Sequence, residues 1–302
     1  MILNASGCLD ALTAPDVARE LDAFVTKTVT PLPRDGNEPV RIAETEVGML
    51  NSIGLANPGI DRFLEAVLPA LLELGVPIWV SVGGFCAEDY AEVCARLEDA
   101  PVEVVELNVS CPNVAAPDEG AHEIVAAARA QSAKPLYAKL SPASPDIAAT
   151  AAAAAEAGAD GLSLVNTLRA LALDSRTLRP RLGPGAGGLS GPALRPVALA
   201  AVYACYRAVD LPIVGMGGVE TGRQALELIA AGASSVALGT VLFSDPGAPA
   251  RVRAELAREA AQSGFQSGIE ARGSAHRPMS GTPSDAVVIM ENETWRRRGA
   301  LT

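Results

Sequence analysis

The residues best suited to chemistry fall where short apolar runs end. Glu106-Leu-Asn-Val-Ser-Cys-Pro-Asn113 is the densest such segment: Asn108 closes an apolar run, Cys111 sits in the turn beyond it with Ser110, and Asn113 follows a stiffening proline. Amide side chains both donate and accept, so Asn108 and Asn113 can grip a planar imide or a carboxylate. The thiolate of a cysteine can take a proton, and Cys111 lies where a general base or nucleophile would be placed. Two lysines, Lys27 beside Thr28 and Lys139, occupy equivalent run ends, as do Ser6, Ser81 and Asn166-Thr167. A lone lysine in such a place is ordinarily a snorkelling surface residue. Two lysines with several amides and hydroxyls at corresponding positions instead describe one polar rim that binds anions.

Glycine turns complete the rim. Gly215-Met-Gly-Gly218 and Leu238-Gly239-Thr240 each end an apolar run before a helical pattern, so free backbone N–H groups can approach a phosphate. A phosphate-bearing ligand is expected there, a mononucleotide such as FMN rather than a dinucleotide. Gly183, Gly185 and Gly188 formally spell GxGxxG. No strand leads into them and no acidic residue follows at the dinucleotide-binding spacing, so that stretch reads as a flexible connection.

The elements that must position this rim follow a regular order. Apolar, β-branched runs at 2–5, 24–29, 77–82, 104–109, 136–140, 161–165, 212–215 and 235–238 read as strands. Helical patterns lie between them, at 60–73, 87–97, 123–131, 145–157, 193–208, 222–231 and 250–264. The alanine-rich stretch 148–157 reads as an ordinary packed helix. Strands separated by helix-length segments imply a parallel sheet, and eight of them in 302 residues imply a single-domain α/β protein, a (β/α)8 TIM barrel. In that fold function sits at the C-terminal strand ends, where the polar residues above were found.

Composition narrows the partners. Lys plus Arg is 24 and Asp plus Glu 35, a net charge of −11, which argues against nucleic acid and anionic membranes. The longest aliphatic segments are broken well before the ~18 residues of a membrane span. Five cysteines (Cys8, Cys86, Cys94, Cys111 and Cys205) form no CxxC, so a disulfide framework, a zinc ribbon and an iron–sulfur cluster lack support, and no metal site is expected. Free thiols suit a reducing cytoplasm.

Several motifs together carry a resemblance: Ala5-Ser-Gly-Cys8; Lys27-Thr28 with Pro31, Arg34, Gly36, Asn37 and Pro39; Glu44-Thr45; Gly48-Met-Leu-Asn-Ser-Ile-Gly-Leu55 before Asn57-Pro-Gly59; Asn108-Val-Ser-Cys-Pro-Asn113; Lys139; Asn166-Thr167; Gly187-Gly-Leu-Ser-Gly-Pro-Ala193; Gly215-Met-Gly-Gly218; and Gly239-Thr240. From about residue 2 to about residue 265 the chain resembles the class 1 dihydroorotate dehydrogenases, specifically their B-type catalytic subunit. The resemblance implies FMN-dependent oxidation of (S)-dihydroorotate to orotate in pyrimidine biosynthesis. It implies FMN contacts at Ser6, Lys27, Thr28, Asn108, Lys139, Val165, Gly191, Gly217, Gly218, Gly239 and Thr240, with Ser81 where the family has an asparagine. It implies substrate contacts at Lys27, Asn51, Ser52, Ile53, Gly54, Leu55, Asn108, Asn113, Asn166 and Thr167. Catalysis falls to Cys111, the base taking the C5 proton while the C6 hydride goes to flavin N5, and to Lys27, which anchors the carboxylate. The class 2 enzymes carry a serine as base and a membrane-associating N-terminal segment, so class 1 fits better.

The resemblance further implies a homodimer and a separate electron-transfer subunit carrying FAD and a [2Fe–2S] cluster, which passes electrons to NAD⁺; A-type relatives use fumarate. The loop 114–120 is shorter than the family's lid over the substrate, which makes a paralogous oxidoreductase of another dihydropyrimidine or cyclic imide the rival reading. A non-catalytic flavin-binding barrel is a further alternative. It is opposed by the presence of Cys111, Lys27 and all four asparagines at 51, 108, 113 and 166. The FMN-binding barrel is placed at 1–265. The remainder, 266–302, is expected to be a solvated or partner-docking tail.

Overall fold

A computed structural model describes residues 1–109 and 117–277. Its strands, in chain order, are β1 (Ile2–Asn4), β2 (Phe24–Val25), β3 (Ile42–Thr45), β4 (Gly48–Asn51), β5 (Ile78–Val82) and β6 (Val104–Asn108). There follow β7 (Leu136–Leu140), β8 (Gly161–Leu164), β9 (Leu168–Ala170), β10 (Gly187–Ser190), β11 (Ile213–Met216) and β12 (Ser235–Leu238). Eight of them form one parallel sheet in the order β1-β12-β11-β8-β7-β6-β5-β2, the eight runs expected from hydrophobicity. Helices return the chain between strands, so both faces of each strand are covered. That is why these segments read as largely apolar runs rather than alternating ones.

The two ends of this sheet meet and close the barrel. Leu3 and Ala23 form a parallel bridge, and the Asp22 N–H donates to the Ile2 carbonyl at 2.9 Å. The wholly buried Asn4 side chain continues the seam: its Nδ2 donates to the Val25 carbonyl at 2.7 Å and its Oδ1 accepts from the Val25 N–H at 2.8 Å. Leu3, Ala23, Val25, Trp79, Val104, Val214, Met216 and Ala237 fill an inner cluster, with Trp79 tilted against Tyr137 at 4.9 Å between ring centroids. The larger core lies outside the strands, where helices such as Ala87–Leu97 and Ile147–Glu156 bury Val93, Leu97, Ala151 and Ala154 against them. The alanine-rich helix is therefore ordinary packing, started by Asp146, whose carboxylate accepts from the Ala148 and Ala149 N–H groups.

Four differences from the sequence-based expectations carry physical reasons. The pattern at 60–73 is not one regular helix: a π-helical turn, Phe63–Val67, separates Gly59–Arg62 from Leu68–Leu72. Pro69 can donate no hydrogen bond, and the widened turn just before it absorbs the missing rung. A second sheet, antiparallel in the order β3-β4-β10-β9, stands over the barrel mouth on its own small core of Ala43, Leu50 and Leu182. The connection holding Gly183, Gly185 and Gly188 belongs to this sheet: Gly188 lies in β10, pairing with Asn51 on one side and Arg169 on the other.

The last difference concerns the tail, whose first part, 266–277, is partly packed on the barrel, with Ala271 and Gly273 buried while Gln266, Ser267, Ile269 and Glu270 stay exposed. Two short 3₁₀ turns, Ile269–Ala271 and Ser274–His276, fold back over the end of the helix Gly222–Ala231. The Arg272 guanidinium donates to the Gly232 carbonyl at 2.9 Å, and His276 Nε2 lies 2.8 Å from that of Ala231. Those are the carbonyls a helix C-terminus leaves unpartnered. The His276 ring stacks on Tyr203 at 3.9 Å, and Ala271 is fully buried. The remainder, 278–302, lies outside the described residues, as does 110–116, which holds the first part of the loop 114–120 read as a lid; the rest of that stretch is no loop but the start of the helix Pro117–Arg129. Among the described residues no helix is long and apolar enough to cross a membrane, and no cluster of His, Cys, Asp and Glu could hold a metal ion.

Candidate active site

The C-terminal strand ends open into a cavity of about 620 Å³, within the range of small-molecule and cofactor sites. Of the residues singled out from sequence, Ser6, Lys27, Thr28, Asn108, Lys139, Val165, Gly191, Gly217, Gly218, Gly239 and Thr240 all line it. So do Asn51, Ser52, Ile53, Gly54, Leu55, Asn166 and Thr167. Ser81 does not. It is wholly buried behind Thr28, its hydroxyl 3.1 Å from that of Thr28, because an inward serine on β5 is too short to reach past its neighbour. Cys111 and Asn113 lie outside the described residues.

The barrel supplies the floor. Lys27 follows β2 and Lys139 points inward from β7, register partner of Asn108 on β6. The Lys139 ammonium donates to Ser6 Oγ at 2.8 Å and lies 3.5 Å from a Glu106 carboxylate oxygen. Burial lowers the Lys27 pKa below the ordinary lysine range, and the like charge of Lys139 adds to this, while the Cys8 thiol acts the other way. Burial pushes the Cys8 thiol up, partly offset by Lys139 and Lys27.

The asparagines are fixed in register. Asn166 Nδ2 donates to Asn108 Oδ1 at 2.9 Å, Asn166 Oδ1 accepts from the Thr167 N–H at 2.8 Å, and the Tyr90 hydroxyl donates to the Asn108 carbonyl at 2.6 Å. The Asn108 amide is thereby presented to the cavity in one orientation. The second sheet forms the roof through Met49, Asn51, Arg169, Gly187 and Gly188. Its edge turns tightly at Gly54 (φ +72°) and Leu55 (φ +58°), a left-handed pair that holds the 51–55 segment against the opening. At the far side Gly218 (φ +69°) could carry no side chain: a Cβ would lie 2.5 Å from the Gly191 carbonyl oxygen. The two glycine loops therefore approach each other by backbone alone, leaving N–H groups for a phosphate.

Electrostatically the cavity is unlike the rest of the chain. Among the described residues its lining has three cations (Lys27, Lys139 and Arg169) and no Asp or Glu, in a protein of net charge −11. A positive cavity in an acidic protein concentrates anionic ligands. The set fits a flavin mononucleotide: backbone cradles for a phosphate, one buried and one half-buried ammonium for the electron-rich edge of a ring, and a mixed apolar and amide wall for its plane. Sequence reasoning missed Arg169, Cys8 and Met49 as lining residues. For Cys8 the signal was present in the Ala5-Ser-Gly-Cys8 motif; for Arg169 and Met49 it lay in the unrecognised second sheet.

Comparison with known proteins agrees with this architecture. The family model described as Dihydroorotate dehydrogenase matches residues 1–259. The "Dihydroorotate dehydrogenase B (NAD(+)), catalytic subunit" of Desulforudis audaxviator (strain MP104C) is 47% identical over 265 residues, covering 85% of this chain and 86% of that protein. The protein of the same name from Listeria monocytogenes serotype 4a (strain HCC23) is 42% identical over 277 residues, covering 88% and 91%. A Solibacter usitatus (strain Ellin6076) protein, provisionally named dihydroorotate dehydrogenase A (fumarate), is 47% identical over 248 residues, covering 79% and 81%. Among solved structures, the dihydroorotate dehydrogenase of Eimeria tenella in complex with ferulenol superposes with a TM-score of 0.77 at 24% identity, covering 92% of this chain and 85% of that one, and supports the fold. The match runs through every strand of the barrel and both halves of the roof, and so this chain belongs to the dihydroorotate dehydrogenase family.

Proposed function

We propose that the cavity binds FMN and oxidises (S)-dihydroorotate to orotate in pyrimidine biosynthesis, as the catalytic subunit of a class 1, B-type enzyme. The observation that carries the reading is the lining itself, three cations without an acid among the described residues, suited to a substrate that bears a carboxylate. FMN, when bound, supplies the hydride acceptor.

The remaining work belongs to the chain. Ser6, Thr28, Lys139, Val165 and Gly191, with the Gly217-Gly218 and Gly239-Thr240 backbones, hold the cofactor from the barrel side. The Lys27 ammonium anchors the substrate carboxylate. Asn51, Asn108, Asn113 and Asn166 with Thr167 grip the imide edge and orient the ring, while Ser52 to Leu55 close over it. Cys111, by its place in the Asn108–Asn113 motif, is the base that takes the C5 proton, and its thiolate is the form that can do so.

The names of the B-type relatives, each the catalytic subunit of a NAD(+) enzyme, support a separate partner subunit. The proposed partner carries FAD and a [2Fe–2S] cluster with NAD⁺ as acceptor, and the proposed core is a homodimer of this chain in the cytoplasm. The test is anaerobic mixing of the FMN-loaded protein with (S)-dihydroorotate. Bleaching of the visible flavin band with orotate appearing is the expected result. A flavin that stays oxidised with dihydroorotate but bleaches with dithionite assigns the site to another dihydropyrimidine or cyclic imide. Fumarate added to the reduced protein separates the A type from the B type, since re-oxidation by fumarate alone overturns the latter.

A further inference from the structure

Among the described residues Glu106 and Lys139 are the two charged residues that are fully buried, and they face each other at 3.5 Å. Glu106 points inward from β6 two residues below Asn108, and its side chain is 1% exposed. Lys139 is its one polar partner among the described residues. On the neighbouring strands, Ser81 is its register partner on β5, and Ser163 is that of Lys139 on β8. Both are fully buried, and neither carries charge.

A buried carboxylate is costly wherever it sits, and ordinary packing of this layer would be met by another serine or an apolar residue. What it does here is electrostatic. Lys139 reaches the cavity, Glu106 does not, and Lys27 stands close enough for the two ammoniums to oppose each other's charge. Without Glu106 the cavity floor would present two unscreened positive charges to whatever binds. With it, the floor presents little more than one.

We propose that Glu106 is a counterweight: a buried negative charge behind Lys139 that limits the positive potential felt by the bound flavin and so holds its reduction potential down. This rests on the flavin reading given above. Positive charge near the ring favours the electron-rich reduced form, so the direction is fixed by sign. It also serves the reaction's second half. A flavin made too good an acceptor would receive a hydride readily and release electrons poorly, and the counterweight balances the two.

The test is the midpoint potential of the FMN-loaded protein, titrated anaerobically against a redox dye, in four variants. Glu106→Gln keeps shape and hydrogen-bonding capacity and removes only the charge. It should raise the reduced-to-oxidised ratio at fixed dye potential by about tenfold, an upward shift of ~30 mV for a two-electron couple. Glu106→Asp should stay near the wild type. Lys139→Gln should shift the potential downward, and the neutral pair Glu106→Gln with Lys139→Gln should return toward the wild-type value. Should Glu106→Gln alone fail to fold, the double variant measured against Lys139→Gln reads the same charge, with the double expected higher. A Glu106→Gln protein that takes up FMN with unchanged potential overturns the counterweight and leaves the flavin site standing. A wild-type protein that takes up no FMN overturns both.

Discussion

The two sheets that meet at the cavity are built on opposite principles. Strands β5 to β8 of the barrel carry almost wholly buried residues and hold their lysines and amides on a closed frame, backed by helices on every side. The roof sheet is half exposed, rich in glycine and supported by three buried residues; Ile42 on β3, for example, is 47% exposed. The barrel thus supplies charge and chemistry at positions that cannot shift. The roof supplies hydrogen-bonding edges, among them Asn51 and Arg169, on a unit that can change without disturbing the core. Substitutions on the barrel side should act on global stability, turnover or the anchoring of the substrate's charge, and those on the roof should leave global stability in place and act on substrate affinity.

Four measurements can break or sharpen that contrast. The largest effect is expected at the loop following β6. Cys111→Ala should slow reduction of the flavin by dihydroorotate by ~10²–10⁴, the range of a positioned general base, while FMN uptake stays intact. Near-full stopped-flow rates in this variant would remove Cys111 from the chemistry. Next come two leucines. Leu107→Ala in the barrel wall should cost about 2–5 kcal/mol of unfolding free energy by denaturant titration. Leu50→Ala in the roof should leave the main transition nearly in place and raise KM for dihydroorotate. Equal losses of global stability at both sites would mean the two sheets unfold as one.

Lys27→Met should raise KM by roughly 10–100-fold, the loss of a charge-assisted hydrogen bond of about 1.5–3 kcal/mol. The same variant should unfold at a higher temperature. The folded-state pKa of Lys27 lies below its unfolded value, so the unfolded chain binds the proton more readily. Below the folded-state pKa this protonated lysine destabilises the fold, and the penalty fades as pH rises from there to the unfolded value. Wild-type substrate binding should correspondingly weaken on the alkaline side before an ordinary lysine would titrate. Smallest is Arg169→Gln: about two- to fivefold in kcat/KM at low salt, vanishing at high ionic strength, as expected of an exposed cation that steers an anion. A salt-independent loss would place Arg169 on the substrate instead.

The same contrast explains what was legible in the sequence. All eight barrel strands could be read because burial on both faces leaves largely apolar runs such as 78–80 and 213–216, and the site residues they carry, Ser81 apart, fall on the cavity. The roof strands could not be read. Leu168-Arg-Ala170 and Gly187-Gly-Leu-Ser190 are too short and too mixed for either periodicity, and the second of them finds its partner β4 more than a hundred residues away. Arg169 went unnoticed for that reason, and the glycines at 183–188 were taken for a loose connection. Ser81 shows the opposite limit. Its position on the strand was right, but reach into the cavity depends on side-chain length against Thr28, which spacing alone does not encode. The docking of 266–277 was equally hidden, because it is made by an arginine, a histidine and two tyrosines on a distant helix.

The seam between β1 and β2 gives the barrel an unexpected kind of vulnerability. A closed barrel is ordinarily joined all round by backbone groups, which nothing short of cleavage can alter. Here part of the join is a side-chain amide, Asn4, donating to one Val25 atom and accepting from another. Hydrolysis of that amide would turn the donor into a second acceptor facing the Val25 carbonyl oxygen, in a seam whose strands run on two residues to Ser6 and to Lys27. Closure of the barrel at this seam therefore depends on the chemical integrity of one buried side chain, which its burial also shields from water.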